Sequence, residues 1–391
     1  MSTLCTALRH RWGTSAYEIK SGGQAESRLQ QVTIYGEPAK FAGWPANYGM
    51  WAWGDELVVG FTVSSFQVDA RFHARDRSKP SVTMQARSLD GGRTWTVGPF
   101  PGRTPGGRGL SADEHMIEGL KLEEVMDGPE GPGDIDKPID FLHEDFAFMC
   151  ARTGLEPGVQ SFFYYSYDRA KSWNGPYRLP QFVHAGVAAR TDYVVVDKDH
   201  CILFLTANKF DGEEGRVFCA ETRDGAMTWK FVNWIGEELW DKDHGIMPAS
   251  LRLANGDLLV AVRAGHGQDY TIETYRSTDL GRTWSGPKIA VAFKDNAKNH
   301  LGNPATLNLL PDGRIAMTYG NRDAPYTIDA KLSDDGGDSW GETIHLRKGG
   351  GSHDIGYPRT VAAADGTLVT AYYFNESADR ERFIGATRWR P

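Results

Sequence analysis

Ser277-Thr278-Asp279-Leu280-Gly281-Arg282-Thr283-Trp284 is one of five copies of an octapeptide box in this chain of 391 residues. The copies share the pattern Ser/Thr-x-Asp-x-Gly/Ala-x-Thr/Ser-Trp, and they begin at Ser88, Ser166, Thr222, Ser277 and Ser333. Their tryptophans are 78, 56, 55 and 56 residues apart, so the period is nearly constant apart from one insertion. A fixed period of this length is typical of stacked supersecondary units.

Each repeat reads as a small antiparallel sheet. Apolar and β-branched runs at residues 57–61, 201–205 and 258–262 are separated by turn residues, as in strands joined by hairpins. In the box, the Asp and Ser/Thr side chains can hydrogen-bond the turn backbone, Gly permits a positive φ, and Trp can cover the hairpin. One such sheet cannot bury its own faces, so we expect the sheets to stack as blades of a closed ring, a β-propeller.

The ends of the chain indicate the number of blades. Five boxes account for five blades, and three more strand-like runs follow Trp340, near residues 357–363, 368–374 and 383–389. The fourth strand of that last blade is expected from residues 31–35, and this pairing would close the ring. The sequence therefore predicts an all-β, six-bladed β-propeller over residues 31–391, with seven blades as the alternative. Residues 1–30 are then an N-terminal extension.

The one insertion lies at residues 99–138 and is rich in Gly and Pro. It is either a surface excursion or a lid over the channel of the ring. Gly and Pro enrichment favours the first interpretation. Long loops in compact domains are often functional, which favours the second.

Composition and charge restrict the partners. No run approaches the length of a membrane span, and the net charge of −8 argues against nucleic acid. A local arginine cluster could still hold an anionic small substrate. Residues 1–30 show no apolar signal-peptide core, and the four cysteines show no metal-ligand spacing, so a cytoplasmic location is expected. The oligomeric state is left open.

The chain resembles the sialidase (neuraminidase) superfamily, in its bacterial non-viral branch, over residues 31–391. Besides the boxes, the resemblance depends on Leu-Leu-Val-Ala-Val-Arg263, Gly-Asn303-Pro304, Thr-Tyr-Gly-Asn-Arg322 and Asp354-Ile-Gly-Tyr357-Pro-Arg359. It implies a six-bladed propeller. The boxes also occur in sortilin-type receptors, some glucanases and some polysaccharide lyases, so function has to be read from the channel-facing ends of the blades.

The resemblance implies a set of catalytic roles. A sialidase is expected to hold the sialic acid carboxylate with three arginines and to attack with a tyrosine that a glutamate assists. On this basis Tyr357 is the nucleophile, and Arg263 and Arg322 are the second and third arginines of the triad. Two positions depart from the family pattern. Gly43 replaces the first arginine, in Gly-Trp-Pro for Arg-Ile-Pro, and Met247 replaces the glutamate, in Met-Pro-Ala for Glu-Pro-Ala.

Other residues could compensate for these losses. Arg190 and Arg359 could join Arg263 and Arg322 as a substitute arginine set, although any of them could instead form a salt bridge between blades. Asp192 is predicted in the same region, as a catalytic residue. Trp44 and Asn303, within the quoted motifs, are predicted to contact the substrate.

The general acid or base is predicted on a loop of blade one, where the resemblance places an aspartate. Asp69, His73 and Asp76 are the candidates, and His73 is singled out because imidazole titrates near neutral pH. A solvated histidine is the alternative interpretation. Asp140, His143 and Asp145 mix oxygen and nitrogen ligands but match no zinc template, so no metal and no cofactor are predicted.

Three functions remain open from the sequence. The first is a sialidase-like glycoside hydrolase that releases a terminal acidic sugar from a glycan. The second is a polysaccharide lyase on glycans that contain uronic acid, with His73 or Tyr357 as the base. The third is a propeller that binds glycans without catalysis. Met247 favours the second and third functions, whereas the combination of Tyr357, Arg263 and Arg322 favours the first.

Overall fold

The chain folds into six antiparallel sheets, the blades of a six-bladed β-propeller, as the sequence predicts. The structure is a computed structural model that describes residues 29–391 apart from 69–71, 106–130, 156–157, 183, 185, 241–242 and 294–301. The first strand, β1 (Leu29–Tyr35), belongs to the last blade.

Blade one has an interrupted innermost strand. Its elements are β2 (Lys40–Gly43), α1 (Pro45–Tyr48), β3 (Met50–Trp53), β4 (Glu56–Ser65), β5 (Val82–Ser88) and β6 (Thr96–Pro99). Both β2 and β3 pair with β4, and α1 fills the gap between them. Pro45 begins this helix because its fixed φ suits the first helical position and its missing N–H is not needed there.

Blades two to four follow in chain order. Blade two has three strands among the described residues: β7 (Ala147–Arg152), β8 (Ser161–Ser166) and β9 (Asn174–Arg178). Blade three contains β10 (Tyr193–Val195), β11 (Cys201–Asn208), β12 (Glu214–Thr222) and β13 (Lys230–Trp234). Blade four contains β14 (His244–Arg252), β15 (Leu258–His266), β16 (Asp269–Ser277) and β17 (Ser285–Ala292). Most of the predicted lid, at 106–130, lies outside the described residues.

Blades five and six complete the ring. Blade five contains β18 (Ala305–Leu309), β19 (Ile315–Asn321), β20 (Thr327–Ser333) and β21 (Ile344–Arg347). Blade six contains β22 (Gly356–Ala362), β23 (Leu368–Phe374) and β24 (Phe383–Trp389), and β1 pairs antiparallel with β24 as its fourth strand. The Gln31 amide joins this closure to blade five, because its Nε2 donates to the Leu346 carbonyl (2.6 Å).

The boxes are hydrogen-bonded turns at one end of the blades. Each box starts at the last residue of a strand, and in the copy at Ser277 the Asp279 carboxylate accepts hydrogen bonds from the Thr283 backbone (2.8 Å) and hydroxyl (2.7 Å). These bonds, with the Thr283 hydroxyl first, lower the pKa of Asp279 to about 2. Ala170 and Ala226 adopt the left-handed conformation that glycine adopts in the other boxes.

The interior is apolar and interleaves neighbouring blades. Trp51 of blade one packs against Trp173 of blade two with ring centroids 5.3 Å apart, and Cys150, Cys201 and Cys219 are buried thiols. In the part of the chain that the structure describes, no helix is both long and apolar enough to cross a membrane. The same residues contain no group of three or more side chains suited to hold a metal ion.

Candidate active site

Three innermost strand segments are distorted at the face of the ring opposite the boxes. Trp44, Met247 and Tyr357 each have a positive φ (61°, 53° and 48°), and each precedes a proline. At the last two, the pairing of β14 with β15 and of β22 with β23 shifts register. A bulky residue in this conformation costs on the order of 1–3 kcal/mol, and such residues concentrate at functional sites. We therefore take this face as the candidate site.

Tyr357, Arg263 and Arg322 lie together there. The Arg263 Nη1 donates to the Tyr357 hydroxyl (3.4 Å), and the Arg322 guanidinium carbon is 5.4 Å from the centre of the Tyr357 ring. Both arginines are buried; Arg263 lies within β15, and Arg322 directly follows β19. The structure thus brings together the three residues that the resemblance assigned to catalysis and carboxylate binding.

Asn303 positions this group from behind. It is fully buried, its Oδ1 accepts the Tyr357 backbone N–H (2.8 Å), and its Nδ2 donates to the Ile355 carbonyl (3.0 Å). The carbonyl of Ile355 also accepts from Arg322 Nε (3.2 Å). Asn303 therefore holds the backbone of Tyr357, whereas the sequence predicts a contact with the substrate.

Asp354 connects blade one to blade six beneath the site. With 1% of its side chain exposed, its carboxylate accepts hydrogen bonds from His73 Nδ1 (2.7 Å), Tyr373 hydroxyl (3.0 Å), Arg382 Nε (2.9 Å) and Ala74 N (3.1 Å). Burial by itself would raise the pKa of Asp354, but His73 and Arg382 hold it well below its usual range. Asp354 is therefore an ionised anchor that orients His73.

His73 presents its ring at the edge of this network. The Trp44 ring lies 5.0 Å from it, edge on, and the His73 side chain is 18% exposed. His73 is thus accessible and oriented by a carboxylate, as a general acid or base has to be. The Trp44 side chain lies underneath with only 1% of the residue exposed, so it supports His73. Asp69 lies outside the described residues.

The place of the missing first arginine is filled. A Cβ added to Gly43 would lie 2.7 Å from Cε1 of the buried Phe41 ring, so no side chain fits there without a shift. Phe41 in turn packs on Trp44 with ring centroids 4.9 Å apart. An aromatic cluster replaces the arginine.

A second ionic group adjoins Arg263. Arg190 forms a bidentate pair with Glu214, the first residue of β12, and the buried Arg152 ends β7 nearby. Burial by itself would raise the pKa of Glu214. The positive charges of Arg190, Arg152 and Arg263 outweigh burial, so the pKa of Glu214 is lowered overall. Sequence reasoning missed Arg152 and Glu214. Their sequence position could have identified them, because Arg152 ends β7 and Glu214 begins β12, on the same face of the ring as Arg263 and Tyr357.

Arg359 and Asp192 lie elsewhere, in the channel wall. Arg359 Nη1 is 3.4 Å from Asp192 Oδ2, and Asp192 Oδ1 accepts the Ser250 N–H (2.8 Å). Burial raises the pKa of Asp192 to about 6, although Arg359 opposes the shift. The pair faces a cavity of about 300 Å³ formed by the innermost strands. Arg359 thus forms a salt bridge between blades, the alternative interpretation of these arginines, and Arg190 is also paired with a carboxylate.

The site as a whole is positive. Four buried arginines lie in it or against it: Arg152, Arg190, Arg263 and Arg322. Two carboxylates, those of Glu214 and Asp354, interact electrostatically with these arginines. Buried guanidinium groups around a tyrosine hydroxyl suit a ligand that carries a carboxylate.

Comparison with known proteins agrees with this architecture. The family described as a BNR repeat-like domain matches residues 146–370, more than half of the chain. The chain belongs to the BNR repeat-like domain family. Together with the six blades, the match confirms the resemblance to the sialidase superfamily. No curated protein sequence matches this BNR repeat-like chain.

Solved structures share the fold at low sequence identity. A protein of unknown function from Dyadobacter fermentans superposes with a TM-score of 0.66 at 18% identity, over 92% of this chain and 98% of that one. A Trypanosoma rangeli sialidase in complex with sialic acid gives 0.58 at 13%, over 92% and 59%. An α-L-arabinofuranosidase from Fusarium graminearum gives 0.59 at 11%, over 93% and 98%. At these identities the similarity shows the fold alone.

Proposed function

We propose that the chain is a glycoside hydrolase that releases a terminal acidic sugar, sialic acid or a related one, from a glycan. One observation carries the proposal: the Tyr357 hydroxyl lies 3.4 Å from Arg263 Nη1, with Arg322 beside the ring. A neutral hydroxyl attacks a carbon that bears a carboxylate with less repulsion than an anionic nucleophile would. The names of the sialidase and arabinofuranosidase neighbours support glycoside hydrolysis as the reaction class.

Each group then has a role. Arg263 and Arg322 bind the sugar carboxylate. The Tyr357 oxygen bonds to the anomeric carbon as the bond from that carbon to the leaving oxygen breaks, and the tyrosine proton passes to solvent water. Arg263 stabilises the negative charge that develops on the Tyr357 oxygen. His73, held by Asp354, protonates the leaving oxygen and then activates water. Glu214 limits the positive charge around Arg190 and Arg263.

Fluorescent glycosides test the proposal. The 4-methylumbelliferyl glycosides of sialic acid and of uronic acids are incubated with the chain, and release of methylumbelliferone is followed. We expect release from an acidic glycoside, reduced by about 100-fold or more in Tyr357→Phe because the nucleophile is lost. Tyr167→Phe, at a tyrosine of blade two whose hydroxyl bonds the Asp140 backbone, is the matched control. No release from any acidic glycoside would overturn the proposal.

A polysaccharide lyase is the second candidate, and Met247 favours it. The Met247 sulfur lies 3.8 Å from Arg263 Nη1, where the resemblance implies the glutamate that assists the tyrosine. A lyase would use the arginines to neutralise a uronate carboxylate and His73 to remove the neighbouring proton. New ultraviolet absorbance from an unsaturated uronate, without sugar release from the fluorescent glycosides, would support this reaction. Glycan binding without turnover in either assay would leave a binding propeller.

A further inference from the structure

A cavity of about 310 Å³ lies beside the hairpin that joins β11 to β12. We refer to it as the hairpin cavity, and its wall includes His184, Asn208, Phe210, Arg216, Trp234 and Glu238. Its volume falls at the lower end of the range for small-molecule sites, about 300–1,000 Å³. None of the roles proposed above uses it.

The hairpin cavity adjoins the arginines of the candidate active site through one strand, β12. Glu214, which pairs with Arg190, precedes Arg216 by two residues in β12. Two residues of a strand span about 7 Å. When the arginines bind one sugar of a glycan, the next sugar can therefore reach this cavity.

The charges of the cavity wall are compensated. Arg216 Nη1 is 3.5 Å from Glu238 Oε1, and Lys209 Nζ is 2.8 Å from Asp211 Oδ2. Burial and the charge of Arg216 both lower the pKa of His184, which favours the neutral imidazole. A wall of paired charges favours a neutral polar ligand over an ion.

The wall also holds hydrogen-bonding atoms that are not used within the protein. Within the described part of the chain, His184 Nε2, Asn208 Oδ1 and Arg216 Nε are buried atoms without a hydrogen-bond partner, and Asn208 as a whole is 7% exposed. A buried polar atom without a partner costs free energy, so a ligand that satisfies it is favoured. Amide oxygen, guanidinium N–H and imidazole together suit hydroxyl groups, which both donate and accept.

An aromatic ring stands at the rim of the cavity. Phe210 lies in the connection between β11 and β12 and is 94% exposed, the highest fraction of any large apolar side chain described. Inside, the Arg216 guanidinium covers the Trp234 ring at 3.9 Å from its centroid. An exposed aromatic face beside hydroxyl-binding groups is an arrangement suited to a sugar ring.

We propose that the hairpin cavity is a second sugar subsite that binds the neutral hexose to which the acidic sugar is linked. The assignment rests on the proposed function for the identity of the acidic sugar. It makes the chain select a glycan by two adjacent units, one through charge and one through hydroxyl groups and an aromatic face.

Two substrates with the same acidic sugar separate the two sites. One is the acidic sugar linked to lactose, and the other is its methyl glycoside, which has no second ring. We expect Phe210→Ala to lower kcat/KM for the lactose conjugate by about tenfold, as for the loss of one aromatic contact, and to leave the methyl glycoside unchanged. Phe210→Trp should retain activity on both. Equal losses on both substrates, or no loss on the conjugate, would overturn the subsite.

Lactose alone provides a readout that does not need catalysis. Saturation-transfer NMR should detect lactose on the wild-type chain, with a weaker signal for Phe210→Ala and an unchanged one for Leu142→Ala, which removes an exposed apolar side chain outside the cavity. If no acidic glycoside is hydrolysed, the proposed hydrolase fails, and lactose binding still decides the subsite. Absence of lactose binding, or binding that Phe210→Ala leaves intact, would refute it.

Discussion

Met247 is the residue at which this chain departs most clearly from the pattern that the resemblance implies. Its sulfur contacts Arg263, which also donates to the Tyr357 hydroxyl. A carboxylate at this position would lie beside both groups, where it could accept the proton of the attacking tyrosine. The thioether cannot do so, and proton transfer to a positioned base is worth about 10²–10⁴ in rate.

Met247→Glu should therefore raise kcat on the fluorescent acidic glycoside by about tenfold or more. The measurement is steady-state kinetics of methylumbelliferone release. Met247→Gln, which keeps the size without a base, is the control and should not raise kcat. An equal gain with glutamine would contradict the explanation and indicate that shape or polarity limits the native site.

Asp354→Asn should destabilise the fold and remove one component of its acid sensitivity. The change leaves Arg382 and His73 with a weaker acceptor in a buried site, at a cost of about 3–5 kcal/mol. Since the pKa of Asp354 is lowered by folding, its contribution is complete above the usual aspartate pKa of about 3.9 and is lost as the pH falls below it.

Urea denaturation at pH 7 and at pH 3 checks this. The difference in unfolding free energy between wild type and Asp354→Asn should be large at pH 7 and smaller at pH 3. A difference that does not depend on pH would show that the lost shape, rather than the lost charge, destabilises the variant. The surface variant Asp338→Asn provides the reference for a carboxylate in exposed ion pairs.

The sequence predicted individual residues of the site and missed the partners that some of them find across blades. Tyr357, Arg263 and Arg322 could be located because the boxes fix their register. The pairings of Asp354 with His73 and of Arg190 with Glu214 depend on how chain segments approach one another, which a strand pattern does not encode. The strand pattern also does not show that Arg359 and Asp192 pair with each other in the channel wall.

At the scale of the element, the distorted innermost strands form the candidate site, and the boxes stabilise the opposite ends of the blades. Positive φ at Met247 and Tyr357 turns their side chains out of the regular alternation of β14 and β22. The sequence shows the Pro that follows each of them but not the register shift. It also did not predict α1 within the innermost strand of blade one. The boxes, at the opposite ends, are stabilising turns.

Asp279→Ala should lower stability without lowering activity. The variant loses the hydrogen bonds from Thr283 and Ser277, a cost of about 1 kcal/mol for partly exposed bonds. Urea denaturation should show a lower midpoint, and kcat/KM on the fluorescent glycoside should stay at the wild-type value. A fall in kcat/KM with the fold intact would mean that this turn is coupled to the site.

At the scale of the whole molecule, the ring depends on one strand from the start of the chain. Blade six takes β1 as its outer strand, and Gln31 also accepts from the hydroxyls of Tyr372 (2.7 Å) and Thr387 (3.1 Å). The box period made six blades predictable. The period says nothing of residues 106–130, so the lid remains a prediction.

Deletion of residues 1–35 should lower the melting temperature more than any single substitution above. Loss of β1 leaves β24 as an open edge with unpaired backbone groups, so the truncated chain should also associate. Differential scanning calorimetry and size-exclusion chromatography measure both effects, and Thr33→Ala is the control because it keeps the backbone pairing. A truncated chain that melts as the wild type does would show that the ring closes without β1.

The pairing of β1 with β24 also sets an order of events during synthesis. β1 leaves the ribosome well before Phe383–Trp389 and has to wait for that strand to be synthesised. At about 5–20 residues per second, the interval is roughly 20–70 s. Over that time blades one to five can form, while β1 remains without its partner. The ring can therefore close only after Trp389 has left the ribosome, and until then β1 is the strand most exposed to wrong pairing.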